Sequence, residues 1–278
     1  MADCMADCMN WGERDRAARD AAYNNTAHVA DSAALIAARE QRSAAFRAAR
    51  PQGLDIAYGP GARQRWDLFP ARDAAAPCLA FIHGGYWQRN SRETFACLMQ
   101  GVRARGWSAA LPGYTLAPDA SLTEIVAEIG RALDWLAAHG PAHGIAGPVI
   151  LSGWSAGGHL TAMGLSHPLV TAGLAISGVF ELGPLRDTYL NEKLALGDAE
   201  VASLSPLRLP VVAKPLLVAH GTAELAALVD NSRRFHACRA DAHAPGALLP
   251  VPRANHFTIL DELEKPDGLL TRQLMLLA

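Results

Sequence analysis

The sequence predicts an α/β fold in which a mostly parallel sheet is covered by helices on both faces. Beyond residue 77, short apolar runs of strand length alternate with segments of helical periodicity, as in successive right-handed β-α-β crossovers. A run of 46 residues from Trp135 to Phe180 also contains no Asp, Glu, Lys or Arg, which is expected where strands are buried on both faces. Nine of the 24 glycines interrupt this run, so it contains no apolar stretch long enough for a transmembrane helix.

Two elements precede the alternating region. Residues 11–50 are rich in Ala and Arg, contain no Gly or Pro from Glu13 to Arg50, and carry apolar residues at helical spacing. This pattern predicts a helical entry segment of one or two helices. The runs LDIAYG at 54–59 and RQRWDLF at 63–69 alternate in polarity around a Gly-Pro-Gly turn, which predicts a β-hairpin.

Six strands and five helices are predicted after the hairpin. The strands are expected at 78–83, 107–111, 148–152, 173–177, 215–220 and 247–251, and the helices at 93–105, 121–139, 156–166, 224–240 and 257–263. The helix at 121–139 is the clearest, because its apolar residues recur every three or four positions along one stripe. The irregular stretch 181–210 contains three prolines and is interpreted as a loop or a small cap. The length fits one α/β domain over 11–278.

The composition excludes several classes of protein. With 25 Lys and Arg against 27 Asp and Glu, the net charge of -2 offers no basic surface for nucleic acid or an anionic membrane. The five cysteines are scattered, with none at zinc-binding spacing, which favours reduced thiols in a cytoplasmic protein. The opening MADCMADC lacks the basic and apolar regions of a secretory signal, and residues 1–10 are predicted to be disordered.

A G-x-S-x-G pattern lies inside the uncharged run, between a predicted strand and a predicted helix. Its members are Gly153, Ser155 and Gly157. A serine on so sharp a turn takes a strained backbone conformation, and the flanking residues must lack a Cβ for the turn to close. The turn holds the hydroxyl clear of the sheet. The pattern therefore predicts that Ser155 is a catalytic nucleophile.

The segment HGGYW at 83–87 follows another predicted strand. Gly84 and Gly85 allow backbone N–H groups to turn toward one point, where they can stabilise negative charge on a carbonyl oxygen under attack. Ala156, directly after the serine, supplies a further N–H group. We predict an oxyanion hole from Gly84, Gly85 and Ala156, and a scaffolding rather than catalytic role for His83.

A serine nucleophile needs a base. Where the serine stands on such a strand-to-helix turn, the acid and then the histidine follow it along the chain. His256 lies in a loop after the last predicted strand, where the base is expected. Two carboxylates follow the strand at 215–220, Glu224 close to the strand end and Asp230 one to two helical turns farther along. A loop at the strand end points toward the site whereas the helix leads away from it. Glu224 is therefore favoured, and Asp230 is the alternative.

These segments resemble the kynurenine formamidase (arylformamidase) family of the α/β-hydrolase fold. The resemblance runs from about residue 23 to the end of the chain, and it rests on HGGYW at 83–87, GYTLAP at 113–118, GWSAGGHL at 153–160, SRRF at 232–235 and NHFTIL at 255–260. HGGYW is the specific element, because carboxylesterases of the hormone-sensitive-lipase-like group usually have a third glycine where Tyr86 stands.

The resemblance implies Ser155 as nucleophile, His256 as base and Glu224 as acid, although Asp is frequent at the last position in the family. It implies hydrolysis of N-formyl-L-kynurenine to L-kynurenine and formate, a step of tryptophan degradation, without metal or organic cofactor and in a homodimer. The expected contacts of the aromatic substrate are Tyr86, Trp87 and Trp154. A general carboxylesterase acting on small esters is the alternative function.

Overall fold

The computed structural model describes residues 11–278, so MADCMADC and the predicted disorder of residues 1–10 lie outside the described residues. The strands are β1 (Ile56–Ala57), β2 (Arg65–Phe69), β3 (Cys78–Ile82), β4 (Ser108–Pro112), β5 (Val149–Trp154), β6 (Val170–Ile176), β7 (Leu216–Gly221) and β8 (Gly246–Val251). Within the described range they form one sheet in the order β1-β2-β4-β3-β5-β6-β7-β8.

The directions of strand pairing confirm the predicted fold class. β1 pairs with β2, and β2 with β4, in antiparallel fashion, while the other neighbouring strands are parallel. β1 and β2 are the predicted hairpin, and the six strands predicted after it lie within three residues of their expected bounds. The parallel strands bring their carboxyl ends to one edge of the sheet, where the loops that follow them can form a site.

Helices lie before the hairpin and between the strands. The entry segment contains α1 (Arg16–Ala21), α2 (Asn25–His28) and α3 (Ser32–Ala48). The other α-helices are α4 (Gln100–Ala104), α5 (Leu122–His139), α6 (Ala156–Gly164), α7 (Asn191–Leu194), α8 (Asp198–Leu204), α9 (Ala226–Asp241), α10 (Asp261–Glu264) and α11 (Leu269–Leu274). Short 3-10 helices occupy Trp11–Glu13, Arg92–Met99, Gly140–His143, Gly183–Asp187, Pro206–Arg208, Thr258–Leu260 and Met275–Leu277.

The helix predicted at 93–105 differs from the expectation in its first half. Arg92–Met99 is a 3-10 helix, and only Gln100–Ala104 is α-helical. This half packs against α3, where Ser43 Oγ accepts a hydrogen bond from the Cys97 backbone N–H over 3.2 Å. A neighbouring side chain thus enters the ladder of backbone hydrogen bonds that a regular α-helix requires.

The sheet has an apolar core on each face. Consecutive residues of a strand point to opposite faces, and in β5 Ile150 belongs to one core and Leu151 to the other. The core that contains Leu151 includes the buried apolar residues of α5 and α6. The core that contains Ile150 includes those of Arg92–Met99, α10 and α11, together with Phe46 of α3. The entry segment is therefore packed into the folded core.

A cluster of charges around the buried Asp67 fastens the entry segment to the sheet. Asp67 of β2 is fully buried, and its carboxylate oxygens lie 2.7 Å from Arg47 Nε of α3 and 3.1 Å from Arg92 Nε. Asp55 contacts both arginines as well. Removing one partner from a buried ion pair typically costs about 3–5 kcal/mol, so this cluster holds α3 firmly beside the sheet.

Three general features of residues 11–278 bear on function. Every helix in this range is too short or too polar to span a lipid bilayer. No group of three His, Cys, Asp or Glu side chains in it is placed to hold a metal ion. Cys78 and Cys97 are free, and burial raises the pKa of Cys78 to about 12 and that of Cys97 to about 11. Both thiols are therefore protonated, and unreactive, at neutral pH.

Candidate active site

Ser155 occupies the sharp turn between β5 and α6. β5 ends at Trp154 and α6 begins at Ala156, so a single residue makes the turn. Its φ of 59° and ψ of -118° lie outside the regions that residues with a Cβ normally populate. The Ser155 N–H donates to the carbonyl of Ile176 over 2.8 Å, which ties the strained residue to β6. Such strain persists only where the surroundings impose it, and it is typical of functional positions.

The two glycines of the G-x-S-x-G pattern are required by close backbone contacts. A Cβ on Gly153 would lie 2.2 Å from the carbonyl oxygen of Gly157. A Cβ on Gly157 would lie 2.1 Å from the carbonyl oxygen of Ile82 in β3. Real Cβ atoms do not approach so closely, and the turn therefore closes only with glycine at both positions.

His256 and Glu224 form a buried hydrogen-bonded pair. His256 Nδ1 lies 3.0 Å from Glu224 Oε2, and both side chains are almost completely inaccessible to solvent. A carboxylate can only accept, so Nδ1 carries the proton of this hydrogen bond, and Nε2 is the nitrogen that can accept a proton from the serine. This tautomer is the one that a general base needs.

Two further donors hold the Glu224 carboxylate in place. Its Oε1 accepts from Ser177 Oγ over 2.6 Å and from the Gly221 backbone N–H over 2.7 Å. Ser177 follows β6 and Gly221 ends β7, so two strand ends orient the acid. Neither donor was predicted from the sequence. A hydroxyl residue directly after a central parallel strand is the signal that could have identified Ser177.

Asp230, the alternative acid, lies elsewhere. It is on α9, its side chain is 49% exposed, and its carboxylate is 3.5 Å from Arg234 one turn along the helix. The structure thus brings Glu224, and not Asp230, to His256. Glu224 stands in the loop between β7 and α9 rather than on the helix, and its side chain reaches His256 Nδ1 from there.

Trp154 joins the serine turn to the histidine loop. Its Nε1–H donates to the carbonyl of His256 over 2.8 Å, and the centres of the two rings are 4.6 Å apart. Because Trp154 directly precedes Ser155, its indole fixes the position of His256 relative to the serine turn. Trp154 also lines the cavity described next, and its contact with substrate stays a prediction.

Ser155 and His256 line a common cavity of about 420 Å³, a volume that includes the space at its open mouth. Its other lining residues are Asn25, Thr26, Ile36, Arg39, Gly85, Tyr86, Arg89, Asn90, Trp154 and Phe257. The first four belong to the entry segment. None of residues 181–210, interpreted from the sequence as a loop or cap, lines it. The entry segment, not that stretch, forms one wall of the site.

The HGGYW turn divides its residues between the cavity and the core. Gly85 has φ of +119°, and a Cβ there would lie 2.3 Å from the Arg89 carbonyl oxygen, so glycine is required. Gly85 and Tyr86 line the cavity, whereas Gly84 packs against Trp154 behind the serine turn. Trp87 corrects our expectation of a substrate contact. Positive φ at Tyr86 and Trp87 turns the chain inward, and the Trp87 indole is fully buried in the apolar core.

The sequence of the chain is similar to those of known hydrolases. The family model BD-FAE matches residues 67–169, which include the HGGYW turn and Ser155. Kynurenine formamidases of Danio rerio and Salmo salar are 25% and 27% identical to this chain, each over 80% of both sequences. An esterase of Fusarium pseudograminearum is 30% identical over 37% of this chain and 32% of its own length.

Solved structures of similar proteins extend the comparison to the fold. A candidate thioesterase from Silicibacter sp. TM1040 has a TM-score of 0.80 and 27% identity, and the match covers 91% of this chain and 97% of the other. Esterase B from Lactobacillus rhamnosis has a TM-score of 0.69 and 24% identity, with coverage of 89% and 95%. The chain has the α/β-hydrolase fold and is similar to the kynurenine formamidases. The sheet order and the serine turn described above are those of this fold.

Backbone N–H donors are available at the position where the oxyanion hole is predicted. The N–H groups of Gly84, Gly85 and Ala156 donate no hydrogen bond to any other residue of the range 11–278. Ala156 is the first residue of α6, so its N–H also carries the positive end of the helix dipole. That these donors converge on one oxygen stays a prediction.

His83 has the features of a scaffold in this α/β-hydrolase. Its Nδ1 contacts the Gly84 carbonyl at 2.9 Å, and its ring stacks on Tyr114 with centres 4.3 Å apart. Tyr114 in turn donates to the His83 carbonyl over 3.0 Å. Burial lowers the pKa of His83 to about 3, so the ring is neutral at physiological pH. These contacts fix the start of the HGGYW turn.

Proposed function

We propose that this α/β-hydrolase cleaves the formamide bond of N-formyl-L-kynurenine and releases L-kynurenine and formate. The observation that carries the proposal is the position of Ser155 and the His256–Glu224 pair at one cavity, in a chain similar to kynurenine formamidases over 80% of its length. A serine that shares a cavity with a buried, oriented imidazole can transfer an acyl group, and formyl is the smallest acyl group.

In the acylation step, Ser155 Oγ attacks the formyl carbon and its proton passes to Nε2 of His256. The electron pair of the carbonyl double bond moves to oxygen. Glu224, held by its three donors, keeps Nδ1 protonated and stabilises the imidazolium that forms.

The developing oxyanion accepts hydrogen bonds from backbone N–H groups. We assign these donors to Gly84, Gly85 and Ala156, none of which donates to another described residue. Donors of this kind are typically worth about 2.7–4 kcal/mol each in the transition state. Ala156 contributes most directly, because it adjoins Ser155 in the chain and begins α6.

The adduct collapses when the protonated Nε2 of His256 gives its proton to the aryl nitrogen, and the C–N bond breaks. The product leaves as an aryl amine, and the formyl group remains as an ester of Ser155. Water then gives a proton to Nε2 and attacks the ester carbon, and the returned proton restores the serine hydroxyl as formate leaves. Tyr86 and Trp154 are the aromatic residues of the cavity that we assign to contact with the aryl ring.

A comparison of substrates tests the proposal. The expected result is a much higher kcat/KM for N-formyl-L-kynurenine than for p-nitrophenyl acetate or butyrate, measured by absorbance on the purified protein. Ser155→Ala is the control and should remove turnover of all three. Equal or slower turnover of the formamide would withdraw the assignment.

A general carboxylesterase is the second candidate function. The similarity to the Fusarium esterase, which is 30% identical over 37% of this chain, favours it. The same Ser155, His256 and Glu224 would act, with an alkoxide rather than an amine as leaving group. The substrate comparison separates the two functions, since a carboxylesterase would prefer the nitrophenyl esters.

We also propose that the chain forms a homodimer and works in the cytoplasm as a single domain. The family resemblance supports the dimer, and the free thiols of Cys78 and Cys97 fit a reducing compartment. Light scattering after size exclusion should give twice the mass of one chain. Unfolding in guanidinium should be one cooperative transition.

A further inference from the structure

Arg39 is a buried cation at the cavity that makes no ion pair with any residue of the described range 11–278. Arg39 is 4% exposed and lines the cavity that contains Ser155. Its Nε is buried without a hydrogen-bond acceptor. Within residues 11–278 the guanidinium makes no ion pair and donates no hydrogen bond.

Two aromatic rings position this guanidinium. Its central carbon lies 4.5 Å from the ring centre of Phe95 and 5.6 Å from that of Trp154, the indole that packs on His256. Rings contact the faces of a guanidinium and leave the N–H groups at its edge free. That edge matches the two oxygens of a carboxylate, with which Arg forms paired hydrogen bonds.

The buried charge of Arg39 is energetically unfavourable unless an anionic ligand pairs with it. Burial lowers the pKa of Arg39, yet a guanidinium stays protonated at neutral pH. A buried charge without a counter-ion is strongly unfavourable, and contacts with aromatic rings offset only part of that cost. The cavity therefore keeps a positive charge in position for an anion.

Asn25 supplies an unsatisfied acceptor at the same cavity. The Tyr86 hydroxyl donates to the carbonyl of Tyr23 over 2.8 Å, so its only proton is committed and it can accept from Asn25. The Asn25 group that faces it, at 3.1 Å, must then be the NH2. This fixes the amide with Oδ1 on its other side, and Oδ1 is buried without a donor.

We propose that these two groups bind the α-amino acid part of the substrate: Arg39 pairs with its carboxylate, and Asn25 Oδ1 accepts from its ammonium. The inference rests on the proposed formamidase function and names its substrate class, an arylformamide that carries a zwitterionic amino acid. The entry segment thereby acts as the specificity element of the site, since both residues come from it. Arg39 and Asn25 are binding residues and take no part in bond cleavage.

The test compares N-formyl-L-kynurenine with N-(2-acetylphenyl)formamide, which keeps the formamide and the aryl ketone but lacks the amino acid. Wild-type protein should prefer the first substrate in kcat/KM. In Arg39→Gln that preference should fall about 10- to 100-fold, mainly through KM, because a hydrogen-bonded charge pair is lost. Arg39→Lys should recover part of it.

Arg89 provides the matched control. It is the other cationic residue that lines the cavity, but its side chain is exposed at the surface. Arg89→Gln should leave the preference within about threefold of wild type, since exposed charges contribute little. An unchanged preference in Arg39→Gln, or a loss confined to Arg89→Gln, would overturn the inference. Equal losses on both substrates in Arg39→Gln would mean a structural role and would overturn it as well.

A binding measurement needs neither turnover nor a variant. Calorimetry on the wild-type protein should give a Kd about tenfold or more lower for L-kynurenine than for 2-aminoacetophenone, the product analogue without the amino acid. Equal affinities would contradict the role of Arg39. If instead neither formamide is cleaved but L-kynurenine still binds more tightly, the proposed function fails while the amino-acid site stands.

Discussion

Ser177 Oγ donates a hydrogen bond of 2.6 Å to Glu224 Oε1, while Glu224 Oε2 contacts His256 Nδ1 at 3.0 Å. The carboxylate is thus fixed from both sides, by the residue after β6 and by the histidine loop after β8. Ser177 itself has φ of 51°, so its backbone is held in a conformation that serine rarely adopts. We therefore assign Ser177 a positioning role in the site.

Ser177→Ala should lower kcat about 10- to 100-fold with little change in KM, because a hydrogen bond to a buried carboxylate is worth about 1.5–3 kcal/mol. Ser152→Ala is the matched control. Ser152 is equally buried, but its hydroxyl donates to the Leu174 carbonyl, away from the acid. Steady-state kinetics on both variants measure these changes. Equal effects on kcat in the two variants would contradict the role of Ser177.

Glu224→Gln should lower kcat by about 10⁴, because the amide can donate to Nδ1 and impose the wrong tautomer on His256. Asp230→Asn should leave kcat within a factor of about two, since Asp230 is half exposed and paired only with Arg234 among the described contacts. The pair of variants is compared by initial rates on N-formyl-L-kynurenine. A damaging Asp230→Asn would mean that the acid is misassigned.

Ser155→Gly and Ser155→Ala should both abolish turnover but differ in stability. Glycine adopts φ of 59° and ψ of -118° with far less strain than a residue with a Cβ. Relief of such strain is worth about 1–3 kcal/mol, so the free energy of unfolding should be higher in Ser155→Gly. Guanidinium titration measures it. Equal stability, or a more stable alanine variant, would show that the turn stores no strain.

Two tryptophans test the division between cavity and core. Trp154→Phe removes the Nε1–H bond to the His256 carbonyl and should lower kcat about 2- to 10-fold. Trp87→Phe should leave kcat unchanged, because the Trp87 ring is buried away from the cavity and its Nε1–H has no acceptor among the described residues. A larger loss of kcat in Trp87→Phe than in Trp154→Phe would mean that Trp87 does contact the substrate.

Stability should fall as the pH is lowered from about 6.5 toward 4, because two histidines are buried in the neutral form. Burial lowers the pKa of His83 to about 3 and that of His159 to about 4. Over this window the unfolded chain binds protons that the folded chain does not, which costs about 1.4 kcal/mol per pH unit for each histidine. His159→Gln should reduce the slope. The exposed His143→Gln serves as control, and an equal slope in all three proteins would contradict the mechanism.

The local parts of the site could be predicted from the sequence. Gly153, Ser155 and Gly157 lie within five residues, and their conformation is decided by contacts among themselves and with the adjacent strand. The position of His256 followed from chain order, because parallel strands bring their ends to one edge. Glu224 was favoured over Asp230 on the same ground, since the loop lies at the strand end and the helix leads away.

The sequence by itself therefore determined the fold class, the serine turn and the order of the residues around it, all of which depend on periodicity and on neighbours along the chain. Only the tertiary structure decided that Trp87 turns into the core, that Ser177 orients the acid, and that Arg39 lines the cavity. These outcomes depend on contacts between residues more than 40 positions apart, such as Ser177 with Glu224 and Asn25 with Tyr86. No local pattern encodes which surface a helix covers, because packing free energy depends on the shape and charge of both partners.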